Sequence, residues 1–157
     1  MKEILLTLGE LAIVDDDDFV RINAHKWRCK HGYAVRTSSR KLGKQKMILM
    51  HREIANIPGD MQTDHVNGDK LDNRRENLRV CTGSQNQANK RKGTNNTSGR
   101  KGVTWHKAGQ KWQVYIQVNR KPIYLGLFDV LDDAACAYDD AARKYFGEFA
   151  RLNGSTI

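Results

Sequence analysis

Three things are scarce in this sequence, and each scarcity excludes a class of protein. Cysteine occurs only at positions 29, 81 and 136. An odd, widely spaced set without a Cys-x-x-Cys pair supports neither a disulfide framework nor a structural zinc knuckle, and leaves three packing residues. Apolar runs are short: none approaches the roughly 20 residues that cross a bilayer. The Met1–Val14 stretch carries Lys2, Glu3 and Glu10 and no small-residue cleavage site, so no membrane partner is expected and the chain should stay in the cytoplasm. Acidic residues, finally, are missing from two long stretches, from Arg21 through Lys46 and from Arg79 through Lys121.

What is present fits a globular chain. The 157 residues are 39% hydrophobic and 29% charged, enough for one ordinary domain or two small ones. Net charge is +9, and the acid-free stretches concentrate it: Arg28, Lys30, Arg36 and Lys46 in one, and Lys90, Arg91, Lys92, Arg100, Lys101, Lys107, Lys111 and Arg120 in the other. Such faces attract polyanions and displace counterions from a phosphate backbone, so nucleic acid is the first partner to consider.

The chain divides by pattern. Residues 1–49 read as a β-rich extension, with short strands at Ile4–Leu8, Ala12–Val14, Tyr33–Thr37 and Lys46–Leu49, and with Asp15–Asp18 as a solvated turn. A helix follows from Met50 to Ile57, ended by Pro58-Gly59. Residues 50–92 form a polar block around a strand at Leu78–Cys81 and a short helix capped by Thr82 or Ser84. Residues 93–99, rich in Gly, Asn, Ser and Thr, read as a linker. Residues 100–157 hold strands at Lys101–Trp105, Lys111–Val118 and Lys121–Phe128, then a helix from Leu131 to Phe146 stopped by Gly147. The core stripe of that helix is read as Ala134, Ala137, Tyr138, Ala141 and Tyr145.

The chemistry lies between Asp64 and Asn89. Within those twenty-six residues stand Asp64-His65-Val66-Asn67-Gly68-Asp69, Asp72-Asn73-Arg74-Arg75-Glu76-Asn77-Leu78-Arg79 and Gln85-Asn86-Gln87-Ala88-Asn89. Phosphodiester hydrolysis needs an activated water, a cation against the phosphate and leaving oxygens, and groups that hold them in line; carboxylates, an imidazole and amides can supply these. Asn67 and Asn73 read as turn and network residues, and His51 either braces the site or merely packs.

These spaced motifs, with the preceding His51-Arg52, resemble the HNH homing endonucleases common in phage genomes. The resemblance covers Met50 to Arg91 and implies a ββα-metal fold. By position it implies His65 as general base, Asn77 as the amide that orients it, and Asp64 and Asn86 as ligands of one divalent cation, Mg²⁺ or Mn²⁺. An imidazole of ordinary pKa, about 6.5, predicts weak activity in acid.

A second resemblance runs from Ser98 to Asn153. Lys101-Gly102-Val103, Lys111-Trp112, Tyr124-Leu125-Gly126-x-Phe128, Asp133-Ala134-Ala135 and Gly147-x-Phe149-Ala150-x-Leu152-Asn153 are similar to the DNA-binding domain of plant ethylene-response factors (APETALA type). That likeness implies a three-stranded sheet lying in the major groove, with Arg100, Lys101, Trp105, Trp112, Tyr115, Gln117 and Tyr124 as candidate DNA contacts, Trp112 and Tyr124 being alternatively core aromatics; Lys107 and Arg120, near strand turns, are read as phosphate contacts at most.

The expected fold is α+β: a ββα-metal nuclease core with a β-rich N-terminal extension, then a three-stranded antiparallel sheet plus one helix. The expected function is metal-dependent nicking of double-stranded DNA by a monomer, phage-encoded and acting in a bacterial host cell, with double-strand cleavage requiring dimerisation or two successive events. The alternative is a non-catalytic DNA-binding regulator built on a dead nuclease scaffold.

Overall fold

The computed structural model describes residues 1–38, 43–57 and 61–154, so the expected stop at Pro58-Gly59 lies outside the described residues. Two compact units emerge, Met1–Cys81 and Thr82–Ile157, each a mixture of helix and small antiparallel sheets.

In the first unit, alternation sets the opening ribbon. Strands β1 (Lys2–Leu5) and β2 (Leu11–Val14) pair antiparallel, with Ile4, Ala12 and Val14 buried and Leu5 and Leu11 exposed. Helix α1 (Asp16–Asn23) follows, and it corrects the reading of Asp15–Asp18 as a solvated turn. Asp16, Asp17 and Asp18 fill its first turn, where carboxylates suit the positive end of the helix dipole.

Three short strands, β3 (Arg28–Lys30), β4 (Tyr33–Thr37) and β5 (Met47–Leu49), form a meander in that order, and α2 (Met50–Ala55) continues directly from β5. Ile4, Leu6, Val14, Ile22, Trp27, Met50 and Ile54 close one core. Trp27 is 2% exposed and satisfies its ring N–H on the Ile22 carbonyl at 2.8 Å, the condition under which so large a ring can be buried. This core joins residues expected as a separate extension, 1–49, to the helix of the polar block.

The last ribbon of the unit, β6 (Gln62–His65) with β7 (Leu78–Cys81), is antiparallel. The loop between its strands is fastened to β2: Ile13 N–H donates to the Leu71 carbonyl, and Asn73 N–H donates to the Ile13 carbonyl, both at 2.8 Å.

In the second unit, α3 (Gly83–Asn89) opens with Thr82 as its cap. The Thr82 hydroxyl accepts from Gln85 N–H while the Gln85 side chain accepts from Thr82 N–H, a reciprocal box. Ala88 belongs to the core of this unit, so the boundary between units falls ahead of α3 rather than at 93–99. The segment expected as a linker is internally tied, with Lys92 Nζ donating to Gly99 O at 3.0 Å and Ser98 Oγ to Val103 O at 2.7 Å.

Strands β8 (Val103–His106), β9 (Lys111–Val118) and β10 (Lys121–Phe128) form a sheet in the order β10-β9-β8. Helix α4 (Leu131–Phe146) covers one face, where Val103, Val114 and Ile116 meet Ala134, Tyr138, Ala142 and Phe146. The buried stripe is Ala134, Ala135, Tyr138, Asp139, Ala142 and Phe146, turned by about one residue from the expected one. Phe146 goes inward and Tyr145, with a hydroxyl to hydrate, stays out. Small alanines let the helix lie close to the sheet. Gly102, at φ +75°, marks the tightest approach, since a Cβ there would run into the Tyr138 ring and the Tyr115 carbonyl.

Candidate active site and nucleic-acid surface

Asp64 and His65 end β6, and antiparallel register sets Asp64 opposite Arg79 and His65 opposite Leu78. Both site residues are buried, at 6% and 5% exposure. Burying a carboxylate requires a partner, and Arg79 supplies one through Nε and Nη2 at 3.1 and 2.8 Å from Asp64 Oδ2.

The loop from Val66 to Asn77 holds its shape through side chains that substitute for absent ladder partners. Asn67 Oδ1 accepts from Asp69 N–H at 2.8 Å, and Asp69 Oδ1 from Leu71 N–H at 2.9 Å, two successive Asx turns. Asp72 receives Arg74 at 2.7 and 2.8 Å and Asn67 at 3.0 Å. Those bonds, Arg74 foremost, hold the Asp72 carboxyl below the usual carboxylate range. Asn77 spans the loop: its Oδ1 accepts from Asn67 N–H at 3.0 Å and its Nδ2 donates to the Asp72 carbonyl at 2.8 Å. Its own carbonyl accepts from Val66 N–H at 2.9 Å, beside His65.

His65 sits in an aromatic pocket. The His51 ring meets it edge-on, with centroids 5.0 Å apart, and Tyr33 lies 6.1 Å from His65 and 5.3 Å from His51. Burial pushes the His65 pKa below the ordinary 6.5, while Asn73, Asp64, Asp69 and Asp72 pull the other way. Burial, then the neighbouring His65 and Arg52, push His51 down to about 3. Both imidazoles are therefore neutral at pH 7, and a neutral ring is the form that accepts a proton.

Several supporting residues carried no local signal in the sequence. Asp15 and Asp18, at the start of α1, hold Arg75: Asp15 Oδ2 accepts its N–H at 2.7 Å, and Asp18 accepts its guanidinium at 2.7 and 2.9 Å. Burial raises the Asp18 carboxyl, but Arg75 and Arg21 together bring it below its usual value. Asn73, read as a turn and network residue, is 1% exposed and donates to the Leu71 carbonyl at 2.9 Å. His51, on α2, is buried with its ring against that of His65. Asn86 stands on α3 of the second unit, half-buried, its N–H bonded to Thr82 O at 3.0 Å.

In the second unit, strand parity sorts the candidate DNA contacts. Val103 pairs with Val114 and Trp105 with Trp112, so both tryptophans share the face of the buried valines. Their rings stack edge to face at 4.8 Å; Trp112 packs on the core and Trp105 remains 45% exposed at its rim. The opposite, open face carries Gln113, Tyr115, Gln117 and Tyr124; Tyr115 pairs with Tyr124, their rings 5.3 Å apart. Lys107 is exposed in the β8–β9 turn, and Arg100 is paired with Asp132 at 2.8 Å. Lys101 is drawn inward instead of reaching that face: its Nζ donates to the Ala88 carbonyl at the negative end of α3.

An HNH endonuclease family model matches residues 52–88, which span β6, the loop, β7 and nearly all of α3. Among curated proteins, an uncharacterized HNH endonuclease of Acanthamoeba polyphaga mimivirus is 31% identical over 146 residues, covering 92% of this chain and 75% of its own length. Protein 3.8 of Escherichia phage T7 is 33% identical over 96 residues, 61% of this chain and 78% of that protein. A dehydration-responsive element-binding protein of Arabidopsis thaliana, number 2D, is 36% identical over 84 residues, reaching 42% of this chain and 41% of its own length. The family match over residues 52–88 and a viral relative 31% identical, aligned along 75% of its own length, agree, and this chain belongs to the HNH endonuclease family.

Proposed function

We propose that this protein is a metal-dependent, homing-type DNA endonuclease that nicks one strand, with His65 taking a proton from the attacking water. The observation that carries the reading is a buried His65, its pKa lowered by burial, next in sequence to an Asp64 that is ion-paired with Arg79, both within the family-matched segment. Water loses its proton to a group of this kind as it attacks phosphorus, and the 3′-oxygen leaves, giving a 5′-phosphate and a 3′-hydroxyl. Asn77 acts by fixing the loop that carries His65, and His51 and Tyr33 hold the ring's orientation.

Asp64 and Asn86 are the proposed donors to one divalent cation, as the motif resemblance implies for these two positions. Two oxygen donors on a partly hydrated ion suit Mg²⁺ or Mn²⁺. Among the described residues no group of three or more His, Cys, Asp or Glu converges, as a closed zinc site would need. Bound there, the cation supplies positive charge against the phosphate and leaving oxygens.

The second unit is the DNA reader in this proposal, its open sheet face with Tyr115, Gln117 and Tyr124 entering the major groove and Arg100 and Lys107 at phosphates. Support comes from the motif resemblance to ethylene-response factors and from the partial plant match. The phage and viral relatives support action in an infected host cell.

The test is supercoiled plasmid with Mg²⁺ or Mn²⁺, an EDTA control and His65→Ala. Metal-dependent open-circular product that falls 10²–10⁴-fold in His65→Ala, about the worth of a positioned general base, supports the assignment. Undiminished nicking by a folded His65→Ala variant overturns it.

A further inference from the structure

The second unit contains a cleft of about 350 Å³ lined by Arg91, Lys92, Gly99, Lys101, Arg151 and Asn153, with Leu152. That volume is at the lower end of the usual range for small-ligand pockets, about 300–1,000 Å³. Four of its lining residues are cations and none is a carboxylate. A lining rich in cations attracts an anion that enters the cleft.

The walls are built. Lys92 Nζ closes the 92–99 turn on Gly99 O at 3.0 Å, and Asn96 Nδ2 donates to Arg100 O at 2.9 Å. On the far wall Asn153 joins two elements: its Oδ1 accepts from Lys101 N–H at 2.6 Å, while its backbone N–H and Nδ2 donate to Asp139 at 2.8 and 3.0 Å. Asp139 is thus engaged by Asn153. Ala88 O takes one of the three donors on Lys101 Nζ. Burial and then Arg151 push Lys101 down to about 8, with Asp139 opposing; a bound anion would act in the same direction as Asp139.

We infer that this cleft is a phosphate seat, taken by a backbone phosphate of the nucleic acid and separate from the open sheet face. Arginine provides a planar fork that matches a phosphate's oxygens, and lysine a point charge. The inference rests on the reading of this unit as a DNA binder, and its role is to fix position without reading sequence.

The experiment uses the full-length chain. Amide spectra are recorded with inorganic phosphate and, separately, with a short duplex, for wild type, Arg151→Gln and Lys92→Gln, after thermal melts establish that each variant is folded. Expected are saturable shifts at Gly99, Lys101 and Asn153 with either probe. Each variant should weaken phosphate binding several-fold and lower the slope of log K against log salt for duplex binding by about one, the amount expected per lost phosphate contact. Duplex binding whose salt slope both folded variants leave unchanged overturns the seat and leaves the DNA reading standing. Phosphate shifts without duplex binding by wild type overturn the DNA reading, and with it the backbone as the source, leaving a site for free phosphate.

Discussion

At the residue scale, His51 ties stability to pH. Its folded pKa of about 3 lies below the ordinary 6.5 of the unfolded chain, so the unfolded state binds an extra proton between those values. The stabilisation is fully present above about 6.5 and is lost as pH falls toward 3, at up to about 1.4 kcal/mol per pH unit. Urea midpoints at pH 7.5 and 4.5 should show this drop, and His51→Phe should reduce it. His65 shifts in the same direction, so the acid limb of the nicking rate should lie below 6.5; a limb above 6.5 would contradict a buried neutral base. Asn77→Ala leaves the Asp72 carbonyl and Asn67 N–H without the bonds they have now. A loss of about 1–3 kcal/mol is expected from chemical denaturation, together with slower nicking because the loop behind His65 loosens.

At the element scale, two short features have measurable worth. Thr82→Ala removes the hydroxyl that accepts from Gln85 N–H and should destabilise the second unit by about 1 kcal/mol in a melt monitored by Trp105 and Trp112. The β9–β10 turn places Asn119 and Arg120 at φ +49° and +67°, the two-residue geometry that matches strand twist and favours glycine. Arg120 accepts a backbone conformation that costs an L-residue about 1–2 kcal/mol. Arg120→Gly should therefore raise the melting temperature while weakening DNA binding if the side chain meets a phosphate. A variant that melts lower would show that Arg120 has a structural role in the turn. For the nuclease loop, the decisive element is β2, whose Ile13 holds Leu71 and Asn73 by backbone bonds, so truncating the first fourteen residues should abolish nicking even though none of Asp64, His65, Asn77 and Asn86 is removed.

At the scale of the whole molecule, charge is unevenly shared: residues 82–157 hold twelve Lys and Arg against six Asp and Glu, or +6 of the net +9. Duplex affinity should fall steeply with salt, log K declining linearly with log salt, and a fluorescence-anisotropy series from 50 to 200 mM salt, a range over which several phosphate contacts lose orders of magnitude, checks it. A single site acting on one strand predicts open-circular plasmid well before linear product. Sequence alone determined the elements with strong local pattern. The strands Lys111–Val118 and Lys121–Phe128 and the helix Leu131–Phe146 have the expected bounds, because period and end signals are local. It also determined the family, because Asp64-His65 and the asparagine motifs lie close together in the chain. Only the tertiary structure decided that Asp15–Asp18 begin a helix and hold Arg75, that Arg79 pairs with Asp64, that His51 packs against His65, and that Lys101 turns inward. Each of these depends on residues brought together across the fold, where burial and charge pairing outweigh what neighbours in sequence prefer.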